Sequence, residues 1–117
     1  MTKRLKNETF WKLIELKIGG NRLIELPCSI GKLSNLQVID LSCTKLKLLP
    51  NTFEKLQNLN SIDYSNNALD YFPASILKLT NLTELYLQHN HITELPDEIS
   101  ALKKLCIFNI SYNRIKK

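Results

Sequence analysis

Apolar residues return along this chain at one fixed interval. Leu13, Leu36, Leu59, Leu82 and Leu105 stand 23 residues apart, and each opens the same pattern. After Leu36 come Ile39, Leu41, Thr44, Leu46, Leu49, Pro50, Phe53 and Leu56. After Leu59 come Ile62, Tyr64, Asn67, Leu69, Phe72, Pro73, Ile76 and Leu79. The units opened by Leu13 and Leu82 match position by position, and the one opened by Leu105 runs through Phe108, Ile110, Asn113 and Ile115. Across the third to seventh positions of a unit, the x-L-x-L-x stretch, residues alternate with period two, as in a strand buried on one face. Repetition of one strand and one return segment stacks such strands in parallel.

The ninth position is Asn21, Asn67, Asn90 and Asn113. A short amide at the point where the chain leaves the sheet can satisfy backbone groups of adjacent turns, so this column predicts a buried ladder. Thr44 breaks it, and a hydroxyl satisfies fewer groups than an amide; the expectation is a less well-ordered turn there, with Cys43 beside it. On the return path the apolar residues fall three or four apart, which suits 3₁₀ turns or one short helix. Pro27, Pro50, Pro73 and Pro96 fix where that segment begins. A return segment wider than the strand spacing bends the stack into a short arc with the sheet inside.

The consensus L-x-x-L-x-L-x-x-N-x-L followed by L-P-x-x-I-x-x-L resembles the leucine-rich repeat family, in its 23-residue intracellular form, over residues 13–115. The resemblance implies an α/β solenoid: a short curved arc with a parallel sheet on the concave side and 3₁₀ or short helical segments on the convex side. It also implies protein binding on the concave face. A single domain over 1–117 is expected, with an N-terminal cap at 1–12, repeats at 13–35, 36–58, 59–81 and 82–104, and a truncated repeat at 105–117. Trp11 and Phe10 are read as packing residues of the cap. Leu105, Phe108 and Ile110 would leave an apolar edge, which invites a homodimer through the last strand.

Positions three, five, seven, eight and ten of each unit face the concave side or its rim, and their content is uneven. The third to fifth units carry Asp63, Glu84, Tyr86, Gln88, His89 and His91, then Asn109, Tyr112 and Arg114; Asp40 joins the position-five column. Tyr and Arg are the residue types that dominate interface hot spots. This corner is the expected contact patch, and its acids favour a partner with basic residues.

Charge changes the picture little. The net +5 resides at the ends: residues 1–12 carry +3, residues 103–117 carry +5, and the body between carries −3. Nucleic-acid binding by the basic tails is the weaker reading. Three cysteines exclude a full disulfide framework and suit reduced thiols in the cytoplasm, two of them half-buried. His89 and His91 form the single metal-like pair, short of the three or four ligands zinc takes. There is no phosphate-cradling glycine loop and no G-x-S-x-G, so neither a cofactor nor an enzymatic activity is expected. Asn7, Asn81 and Asn109 open N-x-S/T sequons. No apolar run reaches the ~20 residues of a membrane helix.

The sequence therefore points to an adaptor or scaffold module that binds another protein through its concave face. The alternatives are a structural segment of a longer array, such as the recognition part of a signalling protein or enzyme, and a basic-tailed nucleic-acid binder.

Overall fold

A computed structural model describes residues 12–116. The proposed cap residues Phe10 and Trp11 lie outside the described residues. Five short strands, β1 (Glu15–Lys17), β2 (Val38–Asp40), β3 (Ser61–Asp63), β4 (Glu84–Tyr86) and β5 (Ile107–Asn109), form one parallel sheet in chain order. The register is regular: Glu15 pairs with Val38, Val38 with Ser61, Ser61 with Glu84, and Glu84 with Ile107. Equal intervals in sequence thus become equal steps in space.

The return segments are 3₁₀ turns at Cys28–Lys32, Asn51–Lys55, Ala74–Lys78 and Asp97–Ala101. Each starts immediately after one of the four prolines, whose φ of −67° to −73° is the value the pyrrolidine ring imposes. Each ends where a leucine N–H returns to the carbonyl three residues back, as Leu56 does to Phe53. Gly31 is required for close stacking of the first two: a Cβ there would stand 2.8 Å from the Thr52 carbonyl oxygen.

Between sheet and 3₁₀ turns lies the core. Leu36, Ile39, Leu41, Phe53, Ile62 and Leu85 are fully buried, with one apolar side chain of each unit stacked on that of the next. Tyr64 fills a position that is leucine or isoleucine elsewhere, and its buried hydroxyl donates to the Leu46 carbonyl at 3.0 Å. Leu105, Phe108 and Ile110 are half-buried against this core, and Ile107 is exposed.

The asparagine ladder forms in the later units. Asn90 is buried, donates from Nδ2 to the Tyr64 and Leu87 carbonyls, and accepts from the Leu69 N–H. Asn67 and Asn113 repeat the scheme half-buried. Asn21 departs from it: exposed, its side chain bonds, among the described residues, the carbonyl of Ile18 in its own turn alone. Thr44 corrects the expectation of a poorly satisfied turn. It is fully buried, and its hydroxyl lies 2.9 Å from the Leu41 carbonyl. Its N–H donates to Asn67 Oδ1, and its carbonyl accepts the Leu23 N–H at 3.0 Å. With no amide to reach Leu23, the backbone carbonyl of Thr44 supplies the acceptor, and the next residue, Lys45, stands at φ of 63°.

Candidate functional site

Position eight of every unit lies in the left-handed region: Gly20, Cys43, Asn66, His89 and Tyr112 have φ from 55° to 80°. A glycine accepts this freely, whereas side-chain-bearing residues there cost energy, and such positions concentrate at functional sites. The conformation holds the residue at the end of the strand, out from the sheet. In the last two units it sets two rings face to face. His89 and Tyr112 stack with centroids 4.4 Å apart and planes 4° from parallel, while the His89 N–H bonds the Ser111 carbonyl below them. Both side chains are exposed, Tyr112 at 74%.

The position-five column leads to this stack. Asp63 pairs with Tyr86, and Tyr86 with Asn109. The Tyr86 hydroxyl donates to Glu84 Oε1 at 3.2 Å, and the Ser61 hydroxyl donates to the same oxygen at 3.3 Å. Desolvation, then the Glu84 carboxylate, holds the Tyr86 phenol above its ordinary pKa.

Asp40 and Asp63 have a role that the residue types alone did not disclose. Oδ1 of Asp63 accepts both the N–H and the hydroxyl of Ser65, at 3.0 and 2.6 Å. Asp40 does the same for Ser42, and Asn109 for Ser111. One oxygen of each thus braces the following turn. The signal was in the sequence as D-L-S, D-Y-S and N-I-S, with K-I-G of the first unit as one exception and Y-L-Q as the other. At the latter, Gln88 keeps a buried Oε1 with no hydrogen-bond partner among the described residues. Gly19, one unit earlier than Ser42, makes room for this brace: a Cβ would stand 2.8 Å from Asp40 Oδ1.

The structure therefore gathers Asp63, Glu84, Tyr86, His89, Asn109 and Tyr112 into one corner. Asp40 lies a strand further on, beside Lys17. His91 and Arg114 follow on the rim, their backbone N–H groups bonded to the Leu69 and Ile92 carbonyls. No three His, Cys, Asp or Glu side chains come together as a metal site among the described residues. The half-buried thiols expected of two cysteines are not found: Cys28, Cys43 and Cys106 are all exposed and unpaired. Two sequon asparagines are engaged, Asn81 with the Gln57 carbonyl and Lys104, and Asn109 with Ser111; Asn7 lies outside the described residues. No described helix is long and apolar enough to cross a membrane.

Family comparison decides what this arrangement is. The family described as leucine-rich repeat region matches residues 2–89, and that described as leucine rich repeat matches residues 80–117. The chain belongs to the leucine-rich repeat family. A solved leucine-rich repeat protein of Leptospira interrogans is 31% identical, with a TM-score of 0.76 over 91% of this chain. An internalin, InlF, of Listeria monocytogenes superposes at 0.77 over 88% of this chain with 23% identity. The functional domain of InlJ from the same bacterium, which includes a cysteine ladder, gives 0.78 over 89% with 22% identity. The last two show likeness of fold alone. This leucine-rich repeat chain spans 33%, 29% and 22% of those three chains. A search of curated protein sequences gives no match.

Proposed function

We propose that this leucine-rich repeat chain is a protein-interaction module of adaptor or scaffold type, and that its partner seats on the sheet face at the corner of Tyr86, His89 and Tyr112. The observation that carries the reading is the His89–Tyr112 stack, two exposed rings held in place by left-handed backbone beside Tyr86. Ordered aromatic groups bury large area on binding at small entropy cost, which is why they anchor interfaces. Asp40, Asp63 and Glu84 share this face, which favours basic residues on the partner. Three exposed, unpaired thiols fit a reducing compartment such as the cytoplasm.

The test is capture on the immobilised chain, with Tyr86→Ala plus Tyr112→Ala as the comparison. The reading requires a protein retained by the parent chain and released by the double variant. Retention that the double variant leaves intact would place the contact elsewhere.

A further inference from the structure

The flank of the solenoid that carries positions ten to seventeen is divided along its length. Beside the first two units it holds an open groove of about 590 Å³. Arg22, Lys45 and Lys47 line it against a single acid, Glu25, and Ile24 and Leu48 protrude from it at 93% and 60% exposure. Beside the third and fourth units a second groove, of about 720 Å³, has the opposite character. Glu94 and Glu98 outnumber Lys78 there, and Tyr71 stands 54% exposed at its edge. Leu48 and Tyr71 occupy equivalent positions in neighbouring units, at the boundary between the two halves. None of these charged groups forms an ion pair with a described residue.

We propose that this flank binds a second copy of the chain in antiparallel orientation. A two-fold axis between the second and third units sets the cationic groove of one copy against the anionic groove of the other, twice, as an isologous interface requires. Leu48 of each copy then meets Tyr71 of the other near the axis, and the two pairs supply an apolar centre with charge at the rim. Charge of both signs on one surface fits a copy of this same chain better than a nucleic acid, whose uniform negative charge would be repelled by Glu94 and Glu98. Concave grooves with protruding aliphatic groups fit a shaped protein surface better than a flat bilayer. Lys45, the left-handed residue that follows Thr44, is part of the cationic lining. The sheet faces of both copies stay uncovered, so the dimer would present two binding corners and gain in avidity.

The experiment is light scattering after size exclusion over a range of concentrations. The parent chain is compared with Lys45→Glu plus Lys47→Glu, with Glu94→Lys plus Glu98→Lys, and with an equimolar mixture of those two variants. All four positions are exposed, so the fold tolerates the changes. The expected result is a mass of two chains for the parent and dissociation at least about tenfold weaker for each variant alone. In the mixture, a heterodimer of the two variants sets opposite charges against each other at both groove contacts, and dimer returns. A parent that stays at 13.5 kDa at every concentration overturns the proposal. So does a dimer that neither charge reversal weakens, which would move the interface to another surface such as the edge of β5.

Discussion

The imidazole of His89 lies flat on the phenol of Tyr112, 4.4 Å away and 4° from parallel. The two residues are a full unit apart in sequence, and each is carried by the same left-handed turn. The pair is exposed, so it contributes little to folding. Tyr112→Ala should change the unfolding free energy by about 0.5 kcal/mol or less in urea titration, at the low end for stacked rings. Partner binding should fall by a larger factor, while Tyr112→Phe, which keeps the stack, should retain it.

Asn90 should matter far more than Asn21. Removing the Asn90 amide strips partners from the Leu69 N–H and the Tyr64 carbonyl inside the core. Asn90→Ala should cost about 3 kcal/mol, since each buried group left unpaired costs about 1–3 kcal/mol. Asn21→Ala loses one exposed bond and should cost about 0.5 kcal/mol. Equal losses in denaturant titrations would contradict a ladder confined to the later units.

Lys45 stands at φ of 63° with no glycine's freedom. Lys45→Gly should therefore stabilise the chain by about 1 kcal/mol, the reverse of the usual effect of glycine. Lys47→Gly, two residues on and outside the left-handed region, should not. Thermal unfolding of the two variants checks this.

Tyr64 gives the chain an alkaline limit. Burial, then the nearby Tyr71, pushes its phenol far above the ordinary value of 10.0. Above pH 10 the unfolded chain releases this proton and the folded chain keeps it. The folded state then binds more protons, and stability falls as pH rises. Stability measured from pH 8 to 11 should decline in the parent and decline less in Tyr64→Phe. The variant should start about 1–2 kcal/mol lower, because the Leu46 carbonyl loses its donor.

Much of this architecture was legible in the residues. The constant spacing of Leu13 to Leu105 set the parallel register, and the prolines marked where each 3₁₀ turn begins. Thr44 was misjudged because side-chain capacity was weighed without the backbone, whose carbonyl turned to meet Leu23. The cysteines were judged on residue type, whereas their places on turns and the outer face expose them. The corner of Tyr86, His89 and Tyr112 followed from the unit period, but the stack within it depends on φ at position eight, which no spacing reveals. The same holds for a second amide column: Asn58 and Asn81 bond the Ser34 and Gln57 carbonyls on the opposite flank. Those side chains read as ordinary polar surface until the units are stacked.

The central claim is that the sheet-face corner is where a partner binds. The most direct measurement is quantitative capture from native extract on three immobilised chains: the parent, Tyr86→Ala plus Tyr112→Ala, and Lys32→Glu plus Lys55→Glu, two exposed residues of the 3₁₀ turns away from the sheet. The account predicts a protein that the first and third retain and the second releases, with all three chains equally folded by circular dichroism. A partner held equally by all three, or none held by the parent, would contradict it.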